Sequence, residues 1–188
     1  MIDQARFLVG EIASVSALMR TFVPERATPT GERVAVEADD AFAGLIEFDN
    51  GAIGTIETSR VASGRQNRLA WEINGSTGSI AFDLERLNEL RVHLADGPQS
   101  GVRGFQDVNV TEADHPFVKF WWPRGHIVGW EHAHANELHH LIEAIALDTE
   151  VGPYGATFED GYRAAEICDA IVRSAKAGQR EDLAYRTL

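Results

Sequence analysis

Cysteine is nearly absent from this 188-residue chain, where Cys168 stands alone. A single thiol excludes an internal disulfide framework and any zinc cage built from cysteines. Lysine is scarce too: only Lys119 and Lys176 accompany 15 arginines, so a mechanism that needs a lysine has two candidates. Positive charge as a whole is short, with 17 Lys plus Arg against 29 Asp plus Glu and a formal charge of −12. That balance argues against a grip on nucleic acid, whose phosphates require clustered Lys and Arg, and against anionic membrane surfaces. No apolar run approaches the ~20 residues that span a bilayer. The opening MIDQARFLVGE carries acid early and does not resemble a secretory signal. None of the 17 glycines forms a Gly-x-Gly pair. Dinucleotide and P-loop sites place glycines so that backbone amides can cradle phosphate, and neither pattern occurs. The expectation is a soluble, cytoplasmic, globular protein of one domain over residues 1–188, long enough to bury a core without staples.

What is present is a run of alternating segments followed by two helical ones. Residues 1–9 read as a short helix ended by Gly10. A helix that starts at the first methionine lacks a capping partner, which hints at truncation. Residues 12–23 are strand-like, with Val15, Ala17 and Met19 on one side, and residues 24–31, rich in proline and glycine, read as a loop. Residues 40–48 alternate cleanly, with Phe42, Gly44, Ile46 and Phe48 on one face. Asp49-Asn50-Gly51 supplies a turn, because Asn-Gly tolerates positive φ, and residues 52–60 return as the partner strand. Further strands are expected over 68–74, 79–83, 90–94 and 105–111, with a Gly-rich loop over 96–104. Short turns between alternating strands predict antiparallel neighbours with one buried face.

Residues 114–129 fit no period and read as a long ordered loop. Residues 130–147 are helical, with His134, Leu138, Leu141, Ile142 and Ile145 as the apolar stripe. Thr157 caps the last helix, with Asp160 as the capping-box acid. That helix is expected to bury Phe158, Gly161, Ala165, Cys168, Ile171, Val172 and Ala175 and to end at Gly178. Segregated strands and helices predict an α+β fold: an open, mainly antiparallel sheet of about seven strands with helices packed on one face.

Four histidines, His132, His134, His139 and His140, crowd one helix. No pair has the i, i+4 spacing that puts two metal ligands on one face, so solvated surface for His139 and His140, and a core or boundary position for His134, is the plainer reading. His126 lies in the aromatic loop after Trp121, Trp122, Pro123 and Arg124. Trp faces stack on sugar rings, and Arg and His reach hydroxyls or anions. Equally, the loop is a packing lid in which His126 caps a backbone carbonyl. Arg60 and Arg65 flank the loop VASG and could hold a carboxylate or hydroxyl, or form salt bridges in an acid-rich chain. Cys168 sits on an apolar stripe, which suits a buried, inert thiol. No G-x-S-x-G supports a hydrolytic triad. His126 with Asp114 is the one acid/base pair to nominate for a cofactor-free isomerase or lyase.

Three stretches taken together, GLIEFDNGAIGTIETSR, EINGSTGSIAFDLERLNEL and ATFEDGYRAAEICDAIVRSAKAGQ, resemble the C-terminal domain of the Gfo/Idh/MocA oxidoreductases. The loop WWPRGHIVGWEHAHANE is similar to a subgroup of sugar or inositol dehydrogenases. The opening IDQARFLVGEIASV resembles the helix and first strand that follow the start of the family's active-site helix. The resemblance runs through essentially the whole chain. It implies a partner Rossmann domain that binds NAD or NADP through a Gly-rich loop and carries a catalytic lysine in Glu-Lys-Pro. It also implies an Asp and a His, four residues apart, before the segment equivalent to Ile2-Asp3. None of these is in the sequence, so the resemblance places the catalytic and cofactor residues outside this chain, while the histidine spacing leaves no metal site expected within it. It leaves a sheet that lines the substrate site and commonly makes subunit contacts. The expected ligand is a sugar or polyol, contacted by Arg60, Trp122, Arg124 and His126. The expected partners are a second copy through the open sheet face or a separate Rossmann-domain subunit. The alternative is a non-catalytic oligomerisation module.

Overall fold

The structure, a computed structural model, describes residues 1–97 and 103–186. Its elements are α1 (Ile2–Leu8), β1 (Ile12–Arg20), β2 (Glu25–Ala27), β3 (Arg33–Ala35), β4 (Ala41–Phe48), β5 (Ile53–Ser59), β6 (Ala70–Asn74), β7 (Gly78–Asp83), β8 (Glu89–Leu94), β9 (Gln106–Asn109), α2 (Trp130–Leu147), α3 (Phe158–Ala177) and β10 (Glu181–Asp182). Single 3-10 turns lie at Leu84–Arg86 and Val118–Phe120. The chain is α+β and every described strand pairing is antiparallel. The loop expected over 96–104 falls partly outside the described residues.

The strands form three sheets instead of one of about seven strands: β10-β1-β4-β5, a β2-β3 ribbon, and β6-β7-β8-β9. A tight turn dictates pairing only with the next strand. The 60–69 connection after β5 is too long to impose any. β2 lies within the stretch expected as loop and β3 just beyond it; all six residues of the ribbon are exposed, which erases the alternation that marks a strand. β10 is too short to carry a pattern. By contacts the chain divides into two compact units, Met1–Gly64 with Ala156–Leu188, and Arg65–Gly155.

In the first unit, alternation delivers the core. Val15 and Ala17 of β1, Ile46 and Phe48 of β4, and Ile56 of β5 face Ile167, Ala170 and Ile171 of α3. Each fully buried Ile contributes about 1.5–3 kcal/mol. The β4–β5 hairpin closes as expected, although only Gly51 takes a positive φ, +85°. Asn50 contributes its side chain instead: Oδ1 accepts from Ala52 N at 3.0 Å and Nδ2 donates to Val9 O at 2.8 Å. β10 reaches only Ser14 and Val15 of β1. Beyond it, the buried Ser174 of α3 takes over, accepting from Ala17 N at 3.0 Å and donating to Gln179 O at 2.6 Å.

The Thr157–Asp160 capping box and the left-handed Gly178 bound α3 as the sequence requires. Its buried face is rotated from the expected one. Ile167, Ala170, Ile171 and Ser174 point inward, whereas Phe158, Gly161, Ala165 and Cys168 are exposed. Ser174 is polar in isolation, but with both hydrogen bonds made it sits inside with its hydroxyl satisfied. The Cys168 thiol is therefore not buried, and partial desolvation, then the charge of Asp169, pushes its pKa up. Arg6 of α1 ties this unit's ends together. It is buried against Glu11 at 2.8 Å and Asp160 at 3.2 Å, with Asp3 at 3.3 Å.

In the second unit, Trp71 and Phe82 are cross-strand partners of β6 and β7, with ring centroids 5.7 Å apart. Gly78 is required where β7 meets β8: a Cβ there would lie 2.4 Å from His93 O. The α2 helix overturns the expected stripe. Leu138, Leu141, Ile142 and Ile145 are exposed, and so is His134. The inward row runs His132, Asn136, His140 and Ala144 at intervals of four.

Candidate functional site

The aromatic loop is built from the end of the β8–β9 ladder. Val110 N donates to Asn88 O at 3.1 Å, which extends the ladder one step beyond the Glu89–Asn109 pair. From that end Asn88 reaches the loop's far side, donating through Nδ2 to Val128 O and accepting at Oδ1 from Val128 N, both at 2.8 Å. Asn109 turns the chain at Thr111, accepting from its N at 2.9 Å and its hydroxyl at 2.6 Å. The buried Thr111 Oγ1 then accepts from Gly125 N at 3.3 Å. Gly125 has φ +86°, a conformation glycine supplies without strain.

Between these anchors the loop presents its side chains. Trp122 is 75% exposed, and its ring centroid lies 5.7 Å from that of His126. His126 Nδ1 sits 2.7 Å from Pro123 O. A carbonyl can only accept, so Nδ1 carries the proton and Nε2 of the neutral ring is an acceptor. His126 thus does cap a carbonyl, and its Nε2 makes no hydrogen bond among those described. Arg124 is diverted: its Nε lies 2.8 Å from Glu112 Oε1. The structure therefore brings Trp122 and His126 together and pairs Arg124 within the loop. His126 and Asp114 form no hydrogen bond among those described.

Arg60 belongs to the other unit, at the end of β5. Its backbone N donates to Asp40 O at 2.7 Å, and the buried Asp40 carboxylate accepts from Phe22 N and Val23 N at 2.7 and 2.9 Å. The Arg60 side chain is exposed and makes no ion pair among the described residues. Arg65, by contrast, pairs with Glu85 at 3.4 Å.

Behind the loop, histidines partner aromatics. His132 stacks edge-on to Trp121 at 4.4 Å and accepts from Gly129 N at 3.1 Å, and Trp121 Nε1 donates to Asn136 at 2.8 Å. His140 donates through Nε2 to Val151 O at 2.7 Å and packs edge-on to Phe117 and Tyr154. It is half-buried, against the solvated position expected for it; His139 is exposed, beside Phe120 at 4.6 Å. No group of three His, Cys, Asp or Glu side chains converges among the described residues. Sequence reasoning missed Asn88, Asn109, Thr111 and Asn136. They are ordinary polar residues whose meaning depends on partners up to 40 positions away.

A dinucleotide cradle needs a strand running through glycines into a helix N-terminus. Here α2 and α3 are entered from loops, through Gly129 and Thr157. Neither helix has that strand–glycine–helix arrangement. Antiparallel strands, the helices α1 to α3 and an anchored aromatic loop define an α+β chain. The chain belongs to the Gfo/Idh/MocA family: a model of the oxidoreductase family, C-terminal alpha/beta domain, matches residues 1–183.

Levoglucosan dehydrogenase of Pseudarthrobacter phenanthrenivorans is 39% identical over 93% of this chain and 47% of its own length. Inositol 2-dehydrogenase of Rhizobium meliloti is 28% identical over 92% of this chain and 44% of its own. Among solved structures, levoglucosan dehydrogenase in complex with NADH and L-sorbose superposes with a TM-score of 0.90 at 40% identity, over 98% of this chain and 48% of that one. The chain thus spans about half the length of the relatives it matches. No helix among the described residues is long and apolar enough to cross a membrane.

Proposed function

We propose that this chain, acting as one domain over residues 1–188, is the substrate-binding and oligomerisation domain of a NAD(P)-dependent sugar or polyol dehydrogenase. The observation that carries the reading is the anchored loop, which presents the Trp122–His126 ring pair outward on a chain 39% identical to a levoglucosan dehydrogenase. An indole face covers the C–H face of a sugar ring, and an open imidazole nitrogen accepts from a ring hydroxyl. Arg124, held by Glu112 through Nε, keeps its other N–H groups as donors for further hydroxyls, and Arg60, in the other unit, is a separate candidate contact. Hydride transfer needs the cofactor carbon held against the substrate carbon. That role is assigned to a Rossmann domain, joined or separate, and the isolated chain is not expected to oxidise a sugar. NADH in the solved relative favours NAD over NADP.

The test is a titration of the 188-residue chain with levoglucosan, L-sorbose and inositol, followed by tryptophan fluorescence and the His126 ring resonances. A saturable change weakened by Trp122→Ala is expected; no change with any of the three overturns the reading. Micromolar binding of NAD or NADP would refute the assignment of the cofactor to another domain.

One observation favours a role in assembly as well. Opposite the α3-covered face, the first sheet exposes Leu18 (66%), Leu45 (64%) and Ile53 (82%) on adjacent strands. Apolar side chains gathered on one face suit a surface shared by two copies. Light scattering at micromolar concentration is expected to show an oligomer, and a strict monomer would count against it.

A further inference from the structure

We infer that Asn88 is a positioning residue for the sugar-facing loop, with Thr111 as its second fastening. The inference rests on the proposed function only for what the loop contacts; the fastening itself stands on geometry. Asn88 and Thr111 both lie at the end of the β8–β9 ladder, where pairing continues through Val110 N to Asn88 O. They hold the loop at two points three residues apart, Gly125 and Val128; the presenting segment 122–126 runs through the first of these, with Trp122 before it and His126 between the two.

The Asn88 contact is directional. Val128 offers an N–H and a C=O, and only a side chain with both an acceptor and a donor in one plane satisfies the two at 2.8 Å each. That fixes which way the amide points. It also sets where Gly129 and the start of α2 begin. Thr111 is buried, and its hydroxyl is used twice, donating to Asn109 and accepting from Gly125 N. The polar atoms of both side chains are engaged by protein partners. Their effect on binding is through the angle at which Trp122 and His126 are held, because a bound geometry set by a rigid support loses affinity when the support loosens.

The experiment uses the full chain with Asn88→Leu, which keeps the side chain's size and removes both hydrogen bonds, and Asn88→Asp, which keeps the acceptor for Val128 N–H and sets a carboxylate against Val128 C=O. Amide exchange, the Trp122 and His126 NMR resonances, and affinity for levoglucosan or L-sorbose are read together. Expected for Asn88→Leu is exchange at Val128 faster by about tenfold, as the loss of one to two hydrogen bonds implies, with both ring resonances moved and amides of β6 and β7 unchanged. Asn88→Asp is expected to move the same resonances less. Sugar affinity should fall in the same order.

If Asn88→Leu leaves the Val128 amide and the two rings unmoved, the inference is overturned. If the rings move and affinity does not, the fastening stands and the sugar-binding role of the loop fails. Should Asn88→Leu not fold, Thr111→Val, which keeps the buried volume and removes the hydroxyl, carries the same readings at Gly125. There too, unmoved rings overturn the inference.

Discussion

α3 and α2 are helices of similar length in one chain, and they meet their surroundings in opposite ways. The α3 helix turns an apolar row inward, Ile167, Ala170 and Ile171, against the inner face of a sheet. The α2 helix turns a polar row inward, His132, Asn136 and His140, and each member has a named partner in the loops beside it. Its leucines and isoleucines face out. Burial therefore follows two different currencies: apolar area for α3, and satisfied hydrogen bonds with aromatic edges for α2. The difference teaches that a helix's inward face is the face whose groups find partners, and greasiness is only the commonest way to find one.

The comparison can be broken most directly at α3. Ile167→Ala removes a fully buried side chain from the first core and is expected to cost about 3 kcal/mol in urea unfolding; a loss under about 1 kcal/mol would show that apolar packing is not what holds α3. Next comes the ionic fastening at the same helix's start. Arg6→Met strands Glu11 and Asp160, and about 2 kcal/mol is expected at neutral pH, below the value for a fully buried pair because both acids remain partly solvated. Glu11 is held below the usual carboxylate range chiefly by its hydrogen bond from Arg6, and Asp160 chiefly by Thr157, then Arg6. Groups with depressed folded pKa values stabilise above their unfolded values and lose that contribution as pH falls through the folded ones. The gap between wild type and Arg6→Met should therefore narrow in acid; a gap that widens there would remove the ion cluster from the account.

The third test separates the two helices by sign. Asn136→Leu makes the inward row of α2 more apolar while leaving Trp121 Nε1 without its acceptor. If area governed α2 as it governs α3, the change would stabilise. With hydrogen bonding in control, a loss of about 1 kcal/mol is expected by thermal or urea unfolding.

Much of this architecture was legible in the residues, and the failures share a cause. Thr157, Asp160 and Gly178 bound α3 because caps are local chemistry. Phe42, Ile46 and Phe48 declared the inner face of β4 because period two is local as well. The inward faces of both helices depart from those that periodicity predicts, although Ile171 is buried as expected, since Ser174 and Asn136 are polar in isolation and become interior only through Ala17 and Trp121, 157 and 15 positions away. The candidate site divides the same way. Trp122 and His126 stand out by residue type and spacing, and the structure does pair them. The diversion of Arg124 to Glu112 and the Asn88 clamp on Val128 are tertiary facts that no periodicity carries.

The smallest expected effect is on the outward row of α2, and it sharpens the comparison because the residue type matches that of the largest. Ile145→Gln replaces a side chain that is 72% exposed. Little apolar area leaves water there on folding, so little transfer free energy is at stake. Glutamine also suits a helix interior slightly better than β-branched isoleucine, which offsets part of what is lost. A change within about 0.5 kcal/mol is expected in urea unfolding of the chain, against about 3 kcal/mol for Ile167→Ala. The two substitutions start from the same amino acid, and alanine is a better helix former than glutamine, so helix propensity cannot explain a larger loss at Ile167. A loss at Ile145 as large as that at Ile167 would mean that the outward row of α2 is covered after all, and light scattering on the same samples would show whether a second copy covers it.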